Sequence, residues 1–180
     1  AAILFDLMNG GGKSWGEEPP YRRLGIEALA AASENFAMGN AGTGMGAIAG
    51  AMKGGLGSAS TVWNGFTVGA LVAVNSVGSC VNPATGTLWA RDHALGDEMG
   101  PVLRSASPRL CRTKLEFMAE AASPGASTTI AMVATDARLT KAEAKRLAIM
   151  AGDGLAIAIR PLHTPFDGDT VFAAATGHRS

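Results

Sequence analysis

The stretch Ser127-Thr128-Thr129-Ile130-Ala131-Met132-Val133-Ala134-Thr135-Asp136-Ala137 decides how the rest of the chain is read. From Thr129 to Thr135 it is short, apolar and β-prone with little alternation, the pattern of a strand covered on both faces. Just before it, Ser123-Pro124-Gly125-Ala126-Ser127 reads as a loop that stops abruptly where the strand begins. Downstream, Thr140 and Glu143 form a Thr-x-x-Glu capping box and Arg160-Pro161 supplies a stop, so a helix is expected over 141–159. Its buried stripe would be Leu147, Met150, Ala151, Leu155 and Ile159. Upstream, Thr67 to Asn75 has the same covered-strand character, and helices are expected over both strands. Pro19-Pro20 can open a further helix over 20–35 whose apolar face is Leu24, Ile26, Leu29 and Ala30. Glycines cluster between Gly10 and Gly12 and from Gly39 to Gly57, which implies close approach of backbone to other groups. The region 90–126 reads as an exposed excursion with a short helix near 112–122. Covered strands with amphipathic helices point to an α/β layered domain.

The chain has 180 residues, 47% of them hydrophobic, enough for one domain with a full core and no disulfides. Fifteen Lys and Arg balance fifteen Asp and Glu, and no basic run occurs, so neither nucleic acid nor an anionic membrane is an expected partner. Apolar stretches such as 67–75 are too short to span a bilayer. Cys80 and Cys111 sit in no paired or metal-binding pattern and read as buried thiols of a reducing, cytoplasmic compartment. Because the first residues, Ala1 to Asp6, include neither a methionine nor a basic leader, the chain is expected to begin in the middle of a longer gene product.

Several motifs tempt and fail. Gly10-Gly11-Gly12-Lys13-Ser14 resembles the end of a phosphate-binding loop, but the required first glycine is Leu7, and Trp15 to Pro20 read as loop where a helix should start. Gly44-Met45-Gly46-Ala47-Ile48-Ala49 fits a relaxed dinucleotide fingerprint without a strand before it or an acidic residue about twenty positions after it. His93, His163 and His178 have no second ligand at metal-binding spacing, and no Gly-x-Ser-x-Gly elbow exists for a Ser-His-Asp triad. His163 reads as a turn or core residue. No cofactor and no metal are expected.

One resemblance survives. The stretch from Ser127 to Ala137 resembles the start of the β chain in the β-aminopeptidase family, which includes L-aminopeptidase D-Ala-esterase/amidases and nylon-oligomer (6-aminohexanoate) hydrolases. The likeness continues through Leu139-Thr140-Lys141 and His163-Thr164-Pro165-Phe166-Asp167-Gly168-Asp169-Thr170-Val171-Phe172. Upstream it covers Ala2 to Leu7, Gly42-Thr43-Gly44, Lys53 to Ser60 and Val68 to Asn75, in family order from one end of the chain to the other. Several motifs in one order are far more specific than any single pattern.

The resemblance implies a four-layer αββα sandwich of the N-terminal-nucleophile type, related to ornithine acetyltransferases. It implies one catalytic domain over 1–180, truncated at both ends relative to the family, that cuts itself between Ser127 and Thr128 into an α-chain part, 1–127, and a β-chain part, 128–180. Thr128 would then be nucleophile and, through its α-amine with a pKa near ~8, its own base. Asn75 matches the family's oxyanion-stabilising asparagine. Lys53 matches a lysine near the nucleophile, and Asp167 with Asp169 match the acidic pair that would hold the amine. The pair cannot serve as a glycosidase couple, since residues two apart in one loop cannot embrace a sugar from opposite faces. The family often has asparagine before the scissile bond where this chain has Ser127. The implied activity is hydrolysis of small amino-amide or peptide substrates (β-aminoacyl, D- or L-aminoacyl, or ω-amino-acid oligomers) by a homo-oligomer of processed units. An acyltransferase of the ornithine acetyltransferase type and an unprocessed, non-catalytic relative are the alternatives.

Overall fold

A computed structural model describes residues 4, 7, 11–99, 108–117 and 127–179. Helix α1 spans Tyr21–Ala30, short strands β1 and β2 span Ile48–Ala49 and Met52–Lys53, and β3 and β4 span Gly55–Trp63 and Phe66–Asn75. They are followed by α2 (Lys114–Phe117), β5 (Thr128–Ala137), α3 (Lys141–Ala158) and β6 (Thr170–Arg179). The strands β3-β4-β5-β6, in that spatial order, form one sheet, antiparallel except for the β5–β6 pair. That parallel pair needs a crossover, and α3 provides it.

The strongest local signals produce the elements they predict. β4 and β5 contain the two apolar runs, and α3 is capped by Thr140, whose side chain accepts from the Glu143 amide while the Glu143 carboxylate accepts from the Thr140 amide. The buried stripe of α3 follows i, i+4 spacing through Leu155 to Ile159, and Met150 falls off it, 54% exposed. The hairpin between β3 and β4, absent from the sequence reading, turns on Asn64-Gly65, both at positive φ, the backbone that two-residue hairpins require.

Three expectations are corrected. α1 ends at Ala30, short of Asn35, and its apolar face is exposed (Leu29 by 79%). The sheet is not covered on both faces within the described residues. Val171 lines a cavity with Ile149 and Gly152 of α3, so the face it shares with Ala131 and Val133 is the helix-covered one. On the other face Leu71, Met132 and Phe172 form one cross-strand row and are 37%, 37% and 46% exposed. Nor is 90–126 merely an excursion, because Lys114 within it is buried. The expected helix near 112–122 is described only over Lys114–Phe117, and its remainder, like the loop 123–126 and most of the 2–7 block, lies outside the described residues.

The glycine cluster explains how β1 and β2 sit against the end of β4. A Cβ on Gly54, between β2 and β3, would lie 2.1 Å from the Val74 carbonyl oxygen of β4, so no other residue fits there. Cys80 is a half-buried thiol, its pKa pushed up to about 11 by burial. No helix among the described residues is long and apolar enough to cross a membrane.

Candidate active site

Thr128 is the first residue of β5 and Asn75 the last of β4, and the antiparallel register sets them directly opposite each other. Alternation along the strands puts both side chains on the sheet face away from α3. Thr128 is 2% exposed and Asn75 fully buried. The Thr128 hydroxyl donates to the carbonyl oxygen of Ser127 at 2.6 Å, and the Gly168 amide donates to the same oxygen at 2.8 Å. This carbonyl, belonging to the peptide that precedes the threonine, is therefore polarised by two donors at once.

Asp167 and Asp169 arrive on the loop before β6, which runs beside Ser127 through a parallel bridge between Ser127 and Asp167. Gly168 lies so close that a Cβ there would be 3.1 Å from Thr128 Oγ1. Each carboxylate uses both oxygens to tie the loop down. Asp167 accepts from the Val77 amide (3.0 Å) and from the amide and hydroxyl of Thr164 (3.2 and 2.5 Å). Asp169 accepts from the Thr129 amide (2.6 Å) and from the amide and Nδ1 of His163 (3.1 and 2.9 Å). His163, at φ +54°, is thus a turn residue that also partners an acid.

Asn75 Oδ1 accepts from the Ile48 amide at 3.0 Å and from Lys114 Nζ at 3.1 Å. Lys53 is exposed and donates to the Met45 carbonyl at 2.8 Å. It is paired in register with Ile48, so it braces the turn that supports Asn75. The cation packed against Asn75 is Lys114, which the sequence reading missed. Burial lowers its pKa to about 8, a shift that the nearby Asp167 carboxylate partly opposes. A single lysine in an undeciphered region carries no local signal of its destination. Among the described residues no group of three or more His, Cys, Asp or Glu could hold a metal ion.

The Thr128 hydroxyl is thus held on its own preceding carbonyl, opposite the buried Asn75. The model of peptidase family S58 matches residues 2–180. The chain belongs to peptidase family S58. It is 46% identical over 183 residues to an uncharacterized aminopeptidase of Mycobacterium bovis, covering 98% of this chain and 50% of that protein. Among solved structures it is similar to a Burkholderia sp. β-aminopeptidase (29% identity, TM-score 0.55). It is also similar to the L-aminopeptidase D-Ala-esterase/amidase of Ochrobactrum anthropi (26% identity, TM-score 0.55), described as a prototype for the serine aminopeptidases and a new variant among the Ntn hydrolase fold. Both matches cover 84% of this chain and 36% of the other. The chain spans about half the length of the curated relatives it matches. The S58 chain thus has the α/β sandwich fold of N-terminal-nucleophile hydrolases, and the described residues build its four-stranded sheet with α3 upon one face, beside the small β1–β2 pair.

Proposed function

We propose that this S58 chain is the catalytic part of a self-processing amide hydrolase whose nucleophile is Thr128. The observation that carries the proposal is the Thr128 hydroxyl seated 2.6 Å from the Ser127 carbonyl oxygen, with the Gly168 N–H on that same oxygen. Thr128 Oγ1 attacks the Ser127 carbonyl carbon, its hydroxyl proton passes to the Thr128 nitrogen, and the C–N bond breaks to leave an ester on Oγ1. Water hydrolyses the ester, which ends the first segment at a Ser127 carboxylate and leaves Thr128 with a free α-amine. The Gly168 N–H stabilises the oxyanion of this first reaction.

Once free, the amine has a pKa near ~8 and can take the hydroxyl proton when Oγ1 attacks an incoming amide. The substrate carbonyl then occupies the place that the Ser127 carbonyl fills in the continuous chain, and withdrawal of Ser127 opens the way to it. Asn75 donates from Nδ2 to the new oxyanion, worth about 3 kcal/mol of transition-state stabilisation. The proton goes to the leaving amine, and water clears the acyl-threonine ester. Asp167 and Asp169 position the loop and the amine, and Lys53 acts at one remove by bracing the turn at Ile48.

The names of the similar proteins, an aminopeptidase, a β-aminopeptidase and an aminopeptidase with esterase and amidase activity, support substrates with a free amino end. We extend this to β-aminoacyl, D- or L-aminoacyl and ω-amino-acid amides, acted on by a cytoplasmic homo-oligomer. Intact-mass spectrometry of the purified full-length protein tests the core of the proposal. A fragment whose first residue is Thr128 is expected, and a single uncut polypeptide would overturn it.

A further inference from the structure

The strongest feature outside the assigned machinery is a lysine in the wrong place for a surface charge. Lys114 is 5% exposed, although lysine is among the residues least often buried. Its backbone is fixed where α2 begins: the Lys114 amide donates to the Val77 carbonyl at 2.8 Å, and the Val77 amide donates in turn to Asp167 Oδ1. Its ammonium donates to Asn75 twice, to Oδ1 at 3.1 Å and to the main-chain oxygen at 3.4 Å.

These bonds determine which way the asparagine amide points. An ammonium and a main-chain N–H have only hydrogens to offer, so the Asn75 atom that meets both Lys114 and Ile48 must be the oxygen. Nδ2 is thereby committed to the opposite edge of the amide. We propose that Lys114 is a positioning residue of the hydrolytic site, acting through Asn75 to hold its Nδ2 ready to donate to the oxyanion. The inference rests on the reading of Thr128 and Asn75 given above. Two further observations fit this role. Burial depresses the lysine's pKa, so the charge is held at a cost that packing alone would not require. Asp167 is the opposite charge that partly offsets this burial, and its Oδ1 accepts from the amide of Val77, whose carbonyl holds the Lys114 backbone.

The test is a double-mutant cycle in the processed full-length protein, measured with whichever of β-alanyl p-nitroanilide, D-alanyl p-nitroanilide and the 6-aminohexanoate linear dimer the wild type hydrolyses. Lys114→Met is expected to lower kcat about 30-fold with KM changed less than about 3-fold, because the interaction is made in the transition state. In an Asn75→Ala background the same change should cost less than about 2-fold, since the group it positions is gone. Multiplying effects, or an unchanged kcat in K114M, would overturn the inference. If K114M does not fold, Lys114→Gln and Lys114→Arg go through the same cycle, and multiplying effects there are equally decisive. Thr128→Ala separates the two levels: an active T128A protein, or a wild type that hydrolyses none of the three probes, defeats the functional reading. An inactive T128A with multiplying Lys114 and Asn75 effects defeats the positioning role alone.

Discussion

Replacing Gly168 by alanine perturbs the site through one added methyl group. The new Cβ would stand 3.1 Å from Thr128 Oγ1, where ordinary contact begins at 3.4 Å, so one of the two must move by about 0.3 Å. Its next contacts, Ser127 O at 3.8 Å and Thr128 Cγ2 at 3.9 Å, are ordinary, and Gly168 is not at a positive φ, so the loop itself accepts alanine. The strain therefore falls on the hydroxyl. Thr128 is buried and bonded to Ser127 O at 2.6 Å, so it yields by rotating its hydroxyl, which also weakens that bond. Rotation by about 30° costs roughly 1 kcal/mol, and weakening one hydrogen bond about another 1 kcal/mol. Together they amount to about 2 kcal/mol, or roughly a 30-fold slower reaction. The assay is the rate at which the fragment beginning at Thr128 appears by mass spectrometry after synthesis, with the thermal midpoint as control. The expected result is slow processing in a protein with nearly unchanged stability. Wild-type processing in folded G168A would refute the argument that the hydroxyl is pinned against this loop.

Thr128→Ala should abolish both processing and amide hydrolysis while leaving the fold intact by circular dichroism, and Thr128→Ser should retain part of both because the hydroxyl survives. Asp169→Ala removes the acceptor of the Thr129 amide and of His163 in a side chain only 1% exposed. It should cost about 1–3 kcal/mol in denaturant titrations of the T128A protein. Lys114 imposes a pH signature on stability, since its pKa is about 8 in the folded chain and 10.5 as the ordinary value. Between those values the unfolded chain binds the extra proton, so the destabilisation is full below pH 8, fades as pH rises and is gone above 10.5. Its full size is at most about 3 kcal/mol. Subtracting the curve of K114M from that of the parent, both in the T128A background, isolates this contribution from opposing groups such as Cys80. A flat difference from pH 7 to 11 would show that Lys114 is not desolvated.

What the sequence determined by itself are the pieces whose signals are local. Thr140 and Glu143 cap α3 because a capping box is closed within one turn, and the runs through Thr67–Asn75 and Thr129–Thr135 become strands because their apolar character is continuous. The Asn64-Gly65 hairpin carries an equally local signal that the sequence reading passed over, since a two-residue turn at positive φ leaves its residue types in the chain. The candidates Thr128, Asn75, Lys53, Asp167 and Asp169 came from resemblance, and periodicity alone would have named none of them. Only the tertiary structure decided that Asn75 faces Thr128, because strand register is set by pairing between segments distant in sequence. It also decided that Asp167 and Asp169 spend their oxygens on Val77, Thr164, Thr129 and His163, and that Lys53 reaches Met45 while Lys114 reaches Asn75. Burial and partner choice for a charged side chain depend on what long-range folding packs around it, and a lysine's immediate neighbours in sequence do not encode that.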